Sequence, residues 1–164
     1  MRKILLAAMA AGLLASAFTA TAAAAPKVGD HCVGLIGQKG QAPKVTCAAT
    51  ADAPELKAAA AAGTPLMTWY DNGHYDTGRG SYTWLGYYGT CDHDGYSVNL
   101  PSEIPSWNHR ISSWHMHGSC YTGSMWHNAS GDTQFWQGDI ASVGEWFGWQ
   151  FEDHVEGFQI QSDW

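Results

Sequence analysis

The stretch that decides the reading is Trp107-Asn108-His109-Arg110-Ile111-Ser112-Ser113-Trp114, because a similar block returns 44 residues later as Phe151-Glu152-Asp153-His154-Val155-Glu156-Gly157-Phe158. An aromatic opens and closes each block, and Ile111 and Val155 fall at the same place within it. Two copies of one β unit are the simplest source of a fixed offset. Upstream, Tyr82-Thr83-Trp84-Leu85-Gly86-Tyr87-Tyr88-Gly89 spaces an aromatic, four residues, an aromatic, one residue and a glycine.

The surrounding sequence supports strands. All nine tryptophans lie after residue 68, and glycine is frequent there while alanine nearly vanishes. Short runs rich in Tyr, Trp, Phe, Thr, Val and Ile alternate with turn signals such as Asp71-Asn72-Gly73, Asp94-Gly95, His117-Gly118 and Ser130-Gly131. No long apolar period of 3.6 residues interrupts them. This part of the chain therefore reads as all-β.

The first 65 residues differ. Arg2 and Lys3 precede an apolar, alanine-rich run to Phe18, and small residues follow, so residues 1–24 read as a secretory signal peptide with cleavage after Ala24. No later segment is apolar enough to insert in a membrane. Residues 25–50 read as a Gly- and Pro-rich segment stapled by cysteines, and 51–65 as an alanine-rich linker helix. Asp52 is placed to cap that helix, Pro54 to enter its first turn and Glu55 to complete a capping box. The main domain then spans 66–164.

Without Arg2 and Lys3, six basic side chains face fifteen acidic ones, a net charge of −9 with histidine neutral. Such a chain repels phosphate backbones, which disfavours nucleic acid as a partner. Four cysteines in an exported chain read as two disulfides. Three pairings are formally open. Cys32–Cys47 with Cys91–Cys120 is favoured, because each bridge stays within one compositional region.

The aromatic-x4-aromatic-x-Gly element and the Asn108–Ser113 block resemble the βγ-crystallin family. The resemblance covers about residues 66–164. It implies an all-β sandwich of two Greek-key motifs, with the N-terminal segment and linker helix outside it. Tyr82, Tyr87 and Gly89 match the family's hairpin element. Asn108-His109-Arg110-Ile111-Ser112-Ser113 matches its closing Asn/Asp-Asn/Asp-x-x-Ser/Thr-Ser sequence except at His109. The second unit departs further. Trp126 stands for the first aromatic, Gly131 and Thr133 replace the rest of the hairpin element, and Glu156 and Gly157 replace Ser/Thr-Ser. On this reading Gly89 lets a hairpin fold back over its own strand, the two tyrosines pack around the bend, and Ile111 and Val155 point between the sheets.

Calcium is the sharpest chemistry the resemblance implies. Carried over, the Ser112 hydroxyl and the Arg110 carbonyl become ligands, with Asn108 shaping the turn and Asp153 and Glu156 contributing from the second unit. Oxygen donors in a turn suit a hard cation. The plainer alternative is that these groups close the strand turn by hydrogen bonds. His115-x-His117 would place two imidazoles on one strand face, a start towards zinc that needs a third ligand from His93, His109, His127, His154 or an acid. No Gly-x-Ser-x-Gly elbow or His-Glu-x-x-His helix is present, and the bridged cysteines leave no thiol nucleophile, so the reading is non-enzymatic. Glu103, Glu145, Glu152 and Glu156 read as surface or turn residues rather than a glycosidase pair.

Three functions follow as expectations for a secreted monomer. The first is a calcium-responsive structural or stress-associated module. The second is an extracellular protein-directed binder, implied by small bacterial proteins of this fold that inhibit metalloproteinases or act as killer toxins; the Gly-rich Tyr70–Gly80 segment is its candidate loop. The third is a glycan-binding module using Trp146, Trp149 and Trp164.

Overall fold

The computed structural model describes residues 31–37, 42–100, 105–127 and 131–163. The residues read as a signal peptide (1–24), Glu103 and Trp164 lie outside them. Within these residues nine strands form two sheets. The strands are β1 (His31–Ile36), β2 (Lys44–Ala48), β3 (Thr64–Tyr70), β4 (Ser81–Gly86), β5 (Tyr96–Asn99), β6 (Ser113–Met116), β7 (Thr122–His127), β8 (Asp132–Gln137) and β9 (Gly157–Gln161). Helix α1 spans Pro54–Ala60 and a short helix α2 spans Val143–Phe147. The first sheet runs β2-β1-β4-β3-β6 and the second β5-β9-β7-β8.

This order is that of two Greek keys exchanging their third strands. In the first unit β3, β4 and β6 share one sheet, while β5 crosses to pair with β9. In the second unit β7, β8 and β9 share the other sheet, and its third segment shrinks to one bridge, Ile140 beside Trp114. Backbone hydrogen bonds repeat between the units. The Ser112 amide donates to the Tyr70 carbonyl and the Glu156 amide to the Trp126 carbonyl, both at 3.0 Å. The Ser112 carbonyl accepts from Val143 and the Glu156 carbonyl from Leu100, both at 2.8 Å. His109 (φ 62°) and Asp153 (φ 54°) make the same left-handed step. The offset of 44 residues is thus a physical correspondence.

The core is aromatic. Trp69, Tyr82, Trp84, Trp107, Phe151 and Phe158 are buried between the sheets with Ile111 and Val155. Trp69 meets Trp84 edge-on at 5.1 Å and Phe158 at 4.8 Å, so rings from the two sheets interlock. Each such pair adds about 0.5–1.5 kcal/mol beyond the area it buries. Both favoured disulfides are formed, and Cys32 and Cys47 are directly paired across β1 and β2.

The hairpin reading is corrected in three places. Tyr82 is fully buried on β4, but Tyr87 lies beyond the strand end, is 61% exposed, and meets Tyr88. Gly89 (φ 107°) follows it, so these residues do not enclose a common bend. The bend of the first unit joins β3 to β4, and there Tyr70 and Tyr75 meet edge-on at 5.9 Å. Trp126 keeps its role as a first aromatic, but its counterpart is Tyr70, since Tyr70 pairs with Ser113 and Trp126 with Gly157. The same register explains why glycine stands at 157. A Cβ there would come within 2.2 Å of the Trp126 indole, so the large ring and the missing side chain belong together.

The N-terminal segment is part of the first sheet rather than an appendage. β1 pairs in parallel with β4 over six residues, from His31 beside Ser81 to Ile36 beside Gly86. Parallel neighbours need a long crossover, and β2, α1 and β3 supply it. Helix α1 covers the outer face of this sheet, where Leu56 packs with Val33, Ala48, Ala53 and Leu85 in a small second core. Its cap differs from expectation: Ala53 is the N-cap, without a side-chain hydrogen bond, and Pro54 opens the helix. Asp52 sits one residue too early. Its carboxyl is held below the usual carboxylate range by the Thr50 side chain, then by its own backbone and Lys57.

Candidate metal centre

The two turns that precede β6 and β9 face each other across the pseudo-symmetry. Ser112 comes from the first and is buried, and its hydroxyl donates to Asp153 Oδ1 of the second at 3.0 Å. The corresponding pair is His109 from the first turn and Glu156 from the second, with Nε2 to Oε1 at 3.5 Å. Exchange of positions 109 and 153, and of 112 and 156, interconverts the two sites. One holds a hydroxyl and a carboxylate; the other holds an imidazole and a carboxylate.

Of the five residues carried over as a metal set, Ser112 and Asp153 are joined by a hydrogen bond. Glu156 lies in the companion site with His109, which is 43% exposed. The rings of His154 and His127 continue from His109, with successive centroids 5.4 Å apart. Asn108 has its Oδ1 buried without a hydrogen-bond partner. Its counterpart Glu152 accepts from the Gly144 amide at 2.6 Å and so anchors the start of α2.

The Arg110 side chain points to a different task. It donates to Asp71 Oδ2 from Nε (3.0 Å) and Nη2 (2.8 Å), donates to the Arg79 carbonyl (3.1 Å), and lies 4.7 Å from the Trp107 ring centroid. Asp71 is buried, with Arg79 Nη2 3.6 Å from its Oδ1. This clamp ties the β3–β4 bend to the first turn. The sequence reading missed it because Asp71 looked only like a turn residue.

The Ser112–Asp153 contact supplies oxygen donors, the type that hard cations take. A carboxylate oxygen and a buried hydroxyl meet there from two units. The His109–Glu156 site suits a hard cation poorly, because an imidazole nitrogen replaces an oxygen donor. Among the described residues no three His, Cys, Asp or Glu side chains converge as a metal cage. His115 and His117 are already engaged. His115 Nδ1 meets Asp139 Oδ2 at 2.8 Å and its ring stacks on Tyr75 at 3.7 Å. His117 Nε2 is bonded to Thr68 Oγ1 at 2.9 Å. Burial, helped by His115 and opposed by Asp139, holds the His117 pKa below its ordinary value.

A third surface was not legible in the sequence. Tyr121, Phe135 and Trp146 are 54%, 62% and 68% exposed and line one groove of about 550 Å³ with Trp136, Gln137 and Phe147. Of the tryptophans expected to bind sugars, Trp146 is here. Trp149, though exposed, lies outside the groove lining and packs over Gly144. Among the described residues no helix is long and apolar enough to cross a membrane.

No protein-family model matches the chain, and no curated protein does. Among solved structures, a βγ-crystallin domain from Clostridium beijerinckii is similar at 17% identity and a TM-score of 0.43, covering 60% of this chain and 99% of that one. A double threonine-to-serine mutant of that domain is similar at 18% identity and 0.43, covering 60% and 98%. The fold assignment itself rests on the strand order and the repeated hydrogen bonds.

Proposed function

We propose that the chain is a non-enzymatic extracellular module of βγ-crystallin type, stabilised by one calcium ion bound at Ser112 and Asp153. The supporting observation is the inter-unit contact of the Ser112 hydroxyl with Asp153 Oδ1. A hydroxyl and a carboxylate meet there from both turns, so an ion bound between them would crosslink the two Greek keys. Asp153 and Ser112 would hold the ion by side-chain oxygens, and nearby carbonyls and water would complete its shell. With one carboxylate the affinity belongs to the weak extracellular class, a Kd of about 0.1–1 mM. Two disulfides suit an oxidising compartment, where calcium is abundant.

Calorimetric titration of the oxidised protein should give one ion per chain. At 10 mM calcium the stabilisation should be about 1.4–2.7 kcal/mol, or about 3–10 °C in Tm. Ser112→Ala and Asp153→Asn should each remove most of that shift. Equal Tm values with calcium and with chelator would reject the proposal.

A second reading, a protein-directed binder, is favoured by the rigidity of the Tyr70–Gly80 bend. Asp71 is clamped by Arg110, the Ser113 hydroxyl donates to the Asn72 carbonyl at 2.6 Å, and Asn72 Nδ2 donates to Asp76 at 2.9 Å. A loop held this way loses little freedom on docking.

A further inference from the structure

A groove between β8 and α2 exposes aromatic rings that the Ser112–Asp153 contact does not explain. Its rim carries three exposed aromatic rings from three separate elements: Tyr121 before β7, Phe135 on β8 and Trp146 on α2. Phe135 lies on the edge strand of the second sheet, where an exposed apolar ring is a liability unless it is used.

The groove is built on a fixed floor. The Trp136 ring packs at 4.8 Å against buried Trp114 and lies over Gly123, where a Cβ would come within 2.4 Å of it. Phe147 lies nearly parallel to Trp114 at 6.1 Å. The backbone at Tyr121 is held from both sides, donating to Gln161 at 3.0 Å and accepting from Gly138 at 2.6 Å. Helix α2, which carries Trp146, is held at its start by Ser142, whose hydroxyl accepts from the Glu145 amide, and by Glu152. The floor and the backbone that carries the rim rings are therefore held in place.

The lining contains no charged side chain. The nearest acids in sequence are Asp139 and Glu145, and the whole chain is acidic. An anionic ligand meets no cation here and is repelled. A purely apolar ligand would leave the exposed Gln137 amide and the Tyr121 hydroxyl unmatched. A neutral pyranose satisfies both demands, since its C–H face stacks on an aromatic ring and its hydroxyls pair with amide and phenol. The volume is within the usual range for small-ligand sites and accommodates about two to three sugar rings.

We propose that this groove binds a neutral oligosaccharide, with Tyr121, Phe135 and Trp146 as stacking platforms and Gln137 as a hydroxyl partner. The groove lining includes neither Ser112 nor Asp153, so sugar binding is tested apart from calcium. The test is titration of the oxidised protein, in chelator, with neutral hexasaccharides: cellohexaose, xylohexaose, hexa-N-acetylchitohexaose and laminarihexaose. Tryptophan fluorescence and calorimetry are the readouts. At least one probe should bind. Trp146→Ala and Phe135→Ala should each weaken it by about tenfold or more, while Tyr87→Ala, an exposed aromatic outside the groove, leaves it unchanged. All variants alter exposed side chains, and an unchanged Tm confirms their folding. The proposal is overturned if no probe binds, if Tyr87→Ala weakens binding as much as the groove variants, or if Trp146→Ala instead abolishes self-association of the protein.

Discussion

At positions 109 and 153 the chain makes the same left-handed step, and at 112 and 156 equivalent amides reach equivalent carbonyls. The side chains at these positions nevertheless differ in kind. The Ser112–Asp153 site offers oxygen to a hard cation, while His109–Glu156 offers nitrogen and a carboxylate that already have each other. The backbone of a turn is fixed by its hydrogen bonds to neighbouring strands. Its chemistry is set by a few side chains that those bonds do not constrain. One backbone can thus carry different donor chemistry in its two halves.

The strongest challenge to this equivalence removes a core ring from each half. Trp114 and Phe158 occupy corresponding positions and are both buried. Trp114→Ala and Phe158→Ala should each destabilise by about 3–5 kcal/mol in urea denaturation. A difference larger than that range would mean that the halves do not share one core. Conversion of the companion site is the next largest effect. The double substitution His109→Asp with Glu156→Ser copies the oxygen donors of the first site onto the second. It should raise calcium stoichiometry in calorimetry from one to two, with a further gain of about 1–3 kcal/mol at 10 mM calcium. A stoichiometry that stays at one would show that backbone correspondence alone does not carry the site.

The smallest effect concerns pH. The His117 pKa is depressed in the folded protein, from an ordinary value of 6.5, mainly by burial. Below that value the unfolded chain takes up the proton more readily. The stability associated with neutral His117 is therefore present above about pH 6.5 and is lost as the pH falls towards the folded pKa. His117→Gln keeps a donor near Thr68 but cannot titrate, so its Tm should fall less than the parent's between pH 7 and 5.

How much of this was legible depended on what the sequence pattern encodes. The offset between the Asn108 and Glu152 blocks reported the architecture correctly, because turn geometry and inward-facing Ile111 and Val155 both repeat with it. The hairpin element was misplaced because spacing does not reveal which strand carries a bend. Tyr70-Asp71-Asn72-Gly73-His74-Tyr75 has the same aromatic spacing as Tyr82 to Tyr87, with a turn signal inside it. That signal would have decided between them. Ser112 and Asp153 were both singled out, but their pairing needed the fold. The groove was out of reach, since positions 121, 135 and 146 come from three elements and share no period.

The two bridges tie different kinds of neighbour. Cys32 and Cys47 face each other within one local hairpin at the edge of the first sheet. Cys91 and Cys120 flank the β5–β6 stretch, whose two strands lie in opposite sheets. Cutting the first bridge should therefore loosen a border, whereas cutting the second should slacken the strand that crosses from one layer to the other.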